Sequence, residues 1–380
     1  LDGAANLVMA NWDAIVIGLG GVGSAAIYHL AKAGLRVLGI DQFPPVHDRG
    51  SSHGKTRIIR QAYFEHPAYV PLLRRSYQLW DELGQLVGKQ LLHRTGLVEI
   101  GPREGVVISG VLRSAREHAL QVEELSMSEI MRIWPQLVGQ PGWLAVIERD
   151  AGYLEVEACV AAHLQLAAEH GARCQHDSQV RHWEMQPGGV TVRTDQGVEH
   201  AAKLLICGGP WSDKLLQCSA LGLQVLRKHQ YWYRPRQTGF AVGDGFPCFF
   251  FETPAGFFYG FPAPDDLGVK PSRPQGGNPV DHPDTPHPAD NLDRQEVEKF
   301  MAAYLPGIGS DLSAQAGCFY TMTRDEHFVV DTHPQFAAVS VVAGLSGHGF
   351  KFTSVLGEIA SQLVIDGESS WDTQLFRFDR

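Results

Sequence analysis

Long apolar runs separated by glycine-rich breaks organise this chain, and the first fifty residues show the pattern best. Ala14–Ile17 is a continuous apolar stretch, as expected of a strand buried on both faces. Gly18-Leu-Gly20-Gly-Val-Gly23 follows, then a helical pattern with apolar Ala25, Ala26, Leu30 and Ala31 that stops at Gly34. A second strand, Arg36–Ile40, ends on Asp41. Strand, glycine loop, helix, strand and terminal acid stand in the order of a dinucleotide-binding unit. Gly18 permits the tight turn, Gly20 lets backbone approach a pyrophosphate, and Gly23 lets helix and strand pack closely. Asp41 lies 23 residues after Gly18, where a ribose-binding acid belongs. The motif by itself does not separate FAD from NAD.

The pattern then departs from repeated βα units. "QFPPVHDRGSSHGKTRIIRQAY" reads as a loop, polar and cationic at Lys55, Arg57 and Arg60, suited to an anion. An apolar-periodic helix is expected from about Tyr69 to Leu83. Ser126-x-x-Glu129 reads as a capping box opening a short helix toward Trp134. Glu155–His170 is a helix closed by Gly171, followed by short strands broken at "QPGG" and "TDQG". "KLLICGGPWSDKL" returns to a buried strand, a glycine turn containing Gly208, and a helix start.

From Leu221 to about Leu312 the texture becomes aromatic and β-rich, as in "PCFFFETPAGFFYGFP". "GVKPSRPQGGNPVDHPDTPHPAD" reads as a long surface loop, with His282 and His287 as solvated loop residues. A helix over roughly Asp293–Tyr304 closes this segment. The last seventy residues predict two strands, a turn at Gly344, Gly347 and Gly349, and a helix from about Thr353 to Ile365. A helix N-terminus at such a turn can stabilise negative charge, and Lys351 adds a full positive one. "DEHFVVDTH" would put Asp325 with His327, and Asp331 with His333, on strand faces. No third ligand stands at metal spacing, so no metal is expected. No internal repeat is visible.

Composition narrows the class. With 380 residues, 44% of them hydrophobic, two domains are expected. A net charge of −10 without a basic patch argues against nucleic acid. No apolar run reaches membrane-spanning length. The start, "LDGAANLVM", has no basic region and no long apolar run, and does not read as a signal peptide; the first eight residues are set aside as a tail. Cys159, Cys174, Cys207, Cys218, Cys248 and Cys318 have no framework spacing, which suits a reducing, cytoplasmic compartment. Cys318, in "AGCFYTMTRDEH", has no CxxC partner: it is either a small buried hydrophobe or chemistry.

"GLGGVG", "GSSHGKTRIIRQAY", "FYGFP", "CFYTMTRDEHF" and "GLSGHGFKF" occur in consistent order across residues 12–380. Together they make the chain resemble the monomeric sarcosine oxidase and N-methyltryptophan oxidase family of covalent-FAD amine oxidases. The resemblance implies an α/β fold: a Rossmann-like FAD-binding domain (10–90, 145–220 and 315–380) with an inserted mixed or antiparallel-sheet substrate domain (91–144 and 221–314). It implies FAD joined through its 8α carbon to the sulfur of Cys318. Gly18, Gly20, Gly23, Asp41, Ser52, His53, Gly208, Gly347 and Gly349 fall on cofactor-binding positions of the family pattern. Lys270, eleven residues after Tyr259, matches the lysine thought to activate oxygen. Arg60 and Lys351 match the pair that binds the substrate carboxylate. Tyr259 matches an active-site aromatic, Thr56 and Arg57 residues near the flavin ring, and Tyr320 a tyrosine near the site. Pro274 stands where the family often has histidine, which puts sarcosine in doubt as the best substrate.

The expected activity is oxidation of a secondary, N-methyl amino acid by oxygen, giving an imine and hydrogen peroxide. Its partners would be the amino acid and oxygen, and a monomer is expected. The rival readings are an oxidase or dehydrogenase of a cyclic or primary amino acid, and a non-catalytic FAD-binding or NAD-dependent protein.

Overall fold

The computed structural model describes residues 11–217, 221–285 and 291–380. The set-aside N-terminal tail, Cys218 and His287 lie outside the described residues. Strand Trp12–Ile17 sits inside an eight-stranded sheet, parallel to Val37–Ile40 on one side and Val198–Ile206 on the other. Phe336–Ala343 and Arg173–Gln175 extend the parallel part, while Val180–Gln186 and Gly189–Thr194 run back antiparallel. The continuous apolar run has a direct explanation. Ala14 and Val16 pack into a core shared with the helices, and Ile15 and Ile17 into a second core with Trp183, Val190 and Val192. Helix Gly21–Lys32 packs against helices Val156–Glu169 and Thr353–Asp366. The contact with the last is intimate: a Cβ on Gly357 would lie 2.4 Å from the Cβ of Ala25.

The second large sheet has the order Lys270–Ser272, Gly256–Phe261, Cys248–Thr253, Leu97–Pro102, Trp143–Glu148, Glu123–Ser126. Its single parallel pairing joins Cys248–Thr253 to Leu97–Pro102. Alternate residues again serve two cores. Phe249 and Phe251 meet Phe300 and Met301 of helix Asn291–Tyr304, whereas Cys248 and Phe250 meet Val107, Ile108 and Val111 of helix Val106–His118. Phe258 stacks on Phe300 with centroids 4.4 Å apart. Each such buried ring contributes about 1.5–3 kcal/mol of transfer free energy. Two long strands, Gln224–Pro235 and Ile308–Met322, pair antiparallel with Lys228 opposite Cys318.

Three expectations need correction. The cationic loop after Asp41 contains a strand, Thr56–Ile59, which pairs with Gly152–Glu155. Its β-branched residues are visible, but the partner lies about a hundred residues away. The proline-rich surface loop begins with a buried strand, Lys270–Ser272, paired with Gly256–Phe261. Asp325 and His327 share no strand face: they occupy a turn, and Asp325 pairs with Arg380. Asp331 and His333 do lie on strand Val329–His333. The Ser126–Glu129 capping box is present, on helix Met127–Ile133.

Candidate active site

The glycine loop closes one end of a cavity of about 550 Å³. Gly18 has φ +87°, and a Cβ there would fall 2.4 Å from the Cys207 carbonyl oxygen. A Cβ on Gly23 would fall 1.8 Å from the Gly18 carbonyl oxygen, so helix and strand meet only because both residues are glycine. Gly20 caps helix Gly21–Lys32 with backbone alone. Ser52 Oγ accepts from Gly21 N–H at 3.0 Å. The Asp41 carboxylate accepts from Leu19 N–H at 2.7 Å and Phe43 N–H at 3.0 Å, which ties it to the loop.

Another part of the cavity wall is built from buried charge. Arg60 is 3% exposed and sits against the rings of Tyr63 and Phe64, at 4.4 and 4.5 Å. Its Nη2 donates to both oxygens of Glu65, at 2.9 and 3.0 Å, and its Nη1 has no hydrogen-bond partner. Burial opposes the Glu65 charge most, but Arg60, His348 and Lys351 together outweigh it and hold that carboxyl below the ordinary value. Lys351 Nζ donates to the His348 carbonyl at 2.8 Å. Burial first, then the Arg60 charge, pushes Lys351 down to about 7. His348 is neutral, its pKa lowered to about 4 mainly by burial. Its Nε2–H therefore donates to the Glu326 carbonyl at 2.9 Å, and its Nδ1 accepts from Tyr63 Oη at 2.6 Å.

Arg57, Tyr259 and Tyr320 also line the cavity. Arg57 donates to the carbonyls of Thr56 and Ser51, both at 2.9 Å. The two tyrosine hydroxyls lie 3.5 Å apart, and Tyr320 packs on Gly347, where a Cβ would approach its ring to 2.3 Å. Lys270, 2% exposed, donates to the carbonyls of Gly54 at 2.6 Å and Thr56 at 3.0 Å and to Thr56 Oγ1 at 3.3 Å. Burial, with Arg57 adding to it, holds Lys270 well below the ordinary lysine range.

The cavity wall thus gathers Gly18, Gly20, Asp41, Ser52, Arg57, Arg60, Gly208, Tyr259, Tyr320, Gly347, Gly349 and Lys351. Pro274 also lines it. Gly23, His53, Thr56, Lys270 and Cys318 lie behind the wall rather than on it. His53 is buried, its pKa lowered to about 4 chiefly by burial, with Nε2 unpartnered. Cys318 is 4% exposed, between wall residues Phe319 and Tyr320 and the neutral backbone of Gly317. Four residues at the site were not anticipated: Glu65, Glu99, Lys228 and His348. Glu99 carried a signal, a lone carboxylate inside the apolar run Leu97-Val98-Glu99-Ile100. Lys228, also buried, donates to the carbonyls of Gln275 at 2.7 Å and Gly276 at 3.1 Å.

A glycine-loop dinucleotide fold, with buried cations on the wall of the same cavity, is the layout of a dinucleotide-dependent oxidoreductase. The chain belongs to the FAD dependent oxidoreductase family, whose model matches residues 13–363. It is 37% identical to a monomeric sarcosine oxidase of Arthrobacter sp. (strain TE1826), covering 98% of this chain and 97% of that one. It is 39% identical to an N-methyl-L-tryptophan oxidase of Salmonella enteritidis, covering 97% and 99%. Among solved structures, NikD, an unusual amino acid oxidase essential for nikkomycin biosynthesis, superposes with a TM-score of 0.85 at 23% identity, over 97% of this chain and 98% of that one. Glycine oxidase from Geobacillus kaustophilus superposes at 0.81 with 19% identity, over 97% and 98%. These two likenesses concern the fold. The residues present suit FAD: the glycine loop leaves room where any Cβ would intrude, and the cavity continues from it to Lys351. No helix among the described residues is long and apolar enough to cross a membrane.

Proposed function

We propose that this chain oxidises the C–N bond of a secondary, N-methyl amino acid, with oxygen as the electron acceptor and hydrogen peroxide and an imine as products. The imine then hydrolyses in water. The observation that carries this reading is the pair of buried cations, Arg60 and Lys351, on the wall of the same cavity as the glycine loop. FAD, when bound, would supply the redox chemistry, as two-electron acceptor from the substrate and donor to oxygen. The chain's own residues position and polarise. Arg60 and Lys351 hold the substrate carboxylate and so orient the amine. Glu65 already occupies the Nη2 edge of Arg60 as a second carboxylate would; the substrate carboxylate displaces it there and also takes the unpartnered Nη1. Tyr259, Tyr320, Thr56 and Arg57 shape the wall and the backbone behind it. Lys270 places a cation-capable group beside the oxygen-reducing region, where charge favours formation of superoxide.

Cys318 is assigned as the attachment point of the flavin through a thioether, and His53 as a neighbour of that site. The two sheets support a division into a cofactor part (10–90, 145–220 and 315–380) and a substrate part (91–144 and 221–314). A second reading, oxidation of a cyclic or primary amino acid, is favoured by Pro274, which lines the cavity as do Phe250 and Phe257. A peroxide-release screen over N-methyl, cyclic and primary amino acids, run beside amines lacking a carboxylate, separates these readings. Efficient turnover of the carboxylate-free amines would sink both.

A further inference from the structure

Arg60 has a carboxylate behind it as well as one in front. Glu99 lies on strand Leu97–Pro102 and is 1% exposed. Its Oε1 stands 3.6 Å from Arg60 Nε and makes no hydrogen bond. A carboxyl group inside a sheet is costly to bury, and packing alone gives no reason for it. The two partners of Arg60 differ in their support. Glu65 lies outside regular structure, between strand Thr56–Ile59 and the turn Pro67–Tyr69, and lines the cavity. Glu99 is held in a strand paired on both sides and does not reach the cavity wall.

We propose that Glu99 is a positioning residue for the carboxylate-binding site: it is the fixed partner of the Nε edge of Arg60, keeping the guanidinium in place while Glu65 is exchanged for the substrate carboxylate. This rests on the carboxylate-site reading above. Without Glu99, an Arg60 released by Glu65 would be held by the rings of Tyr63 and Phe64, which attract the cation but do not fix its rotation. The charged groups facing Glu99 are Arg60, Glu148, Glu65 and Lys351. Glu148 is committed to the N–H groups of Gln61 and Ala62, both at 2.8 Å. Burial pushes Glu99 up to about 8; Arg60 and Lys351 pull against it, and Glu148 and Glu65 add to it. Below that pH it is neutral, and its oxygen faces Nε at 3.6 Å as a dipolar contact that adds no negative charge beside a second carboxylate. Above it, the new negative charge opposes substrate binding.

The test uses holoenzyme and the non-reactive carboxylate methylthioacetate, with Kd read from the flavin absorbance between pH 6 and 9.5. Glu99→Leu should weaken binding at pH 6.5 roughly tenfold or more. It should raise the substrate KM in parallel while kcat falls far less. Glu99→Gln keeps an acceptor and cannot ionise. It should bind within about threefold of the parent at pH 6.5 and roughly tenfold tighter than the parent at pH 9.5. The ratio is read in a Lys351→Met background, because ionised Glu99 also helps to hold Lys351 charged and the two titrations would otherwise mix. Unchanged binding in Glu99→Leu, or a parent-to-Gln ratio that stays flat with pH, overturns the assignment. If Glu99→Leu does not accumulate as holoenzyme, the pH dependence of the Gln ratio decides alone. Absence of methylthioacetate binding to the parent enzyme overturns the carboxylate-site reading, and this inference with it.

Discussion

At the Gly18–Gly23 end of the cavity the wall is mostly backbone, whereas at the Arg60–Lys351 end it is buried ionisable side chains. The first end works by leaving space: no Cβ fits at Gly18 or Gly23. The second works by placing charges where water cannot screen them, and each charge shifts its neighbours. The nucleotide end therefore tolerates almost no added volume. The reaction end should accept some change of shape but respond strongly to changes of charge and proton concentration.

The largest effect should come from filling the nucleotide end. Gly23→Val puts a branched side chain where even a Cβ lies 1.8 Å from the Gly18 carbonyl oxygen. Strand and helix must separate, and purified variant protein should carry no FAD by absorbance. Full flavin content would show that the loop is not the cofactor cradle. Next in size is Arg60→Gln. Loss of one charge-assisted partner of a buried carboxylate costs about 2–5 kcal/mol, so methylthioacetate affinity should fall about thirtyfold to several thousandfold, with flavin content retained. Equal affinity in the variant would move the carboxylate site elsewhere.

Lys270→Met keeps most of the side chain's bulk and removes its capacity for charge. Stopped-flow reoxidation of the reduced enzyme by oxygen should slow by roughly a hundredfold, about 2.7 kcal/mol, while reduction by substrate changes much less. Equal slowing of both half-reactions would point to a structural role behind Thr56. A smaller effect is expected from pH. Lys351, pushed down to about 7, is charged below that pH and neutral above it. Carboxylate affinity should therefore decline as pH rises through about 7, and Lys351→Met should abolish that step. The smallest effect is Cys318→Ala. It removes one buried sulfur, so thermal stability should drop only modestly, about 1–2 kcal/mol. The flavin should remain with the polypeptide on a denaturing gel in the parent protein and be lost from this variant. Flavin released entirely from the acid-precipitated parent would make the cysteine a packing residue.

Much of this is legible in the sequence. The dinucleotide unit is local: strand, loop, helix and acid lie within about thirty residues, so spacing alone carries the geometry. The capping box at Ser126 and the helix over Val156–Glu169 are local in the same sense. Resemblance led to Arg60, Lys351 and Lys270, because those residues stand in distinctive motifs. Periodicity could not have paired them, since Arg60 and Lys351 are nearly three hundred residues apart. Strand Lys270–Ser272 was hidden by the surrounding prolines and glycines, which mark turns in sequence but here flank a short buried strand.

Local chemistry, then, is what the sequence determined by itself: the glycine loop, the class of cofactor fold, and the residue types able to bind a carboxylate. Tertiary structure decided protonation and partnership. Whether Glu99 meets a cation, whether Lys351 loses half its charge near pH 7, and which face of Arg60 is open all depend on burial and on neighbours from distant strands. Both quantities are set by packing between sheets, which brings charges within a few ångströms and removes the water that would otherwise screen them.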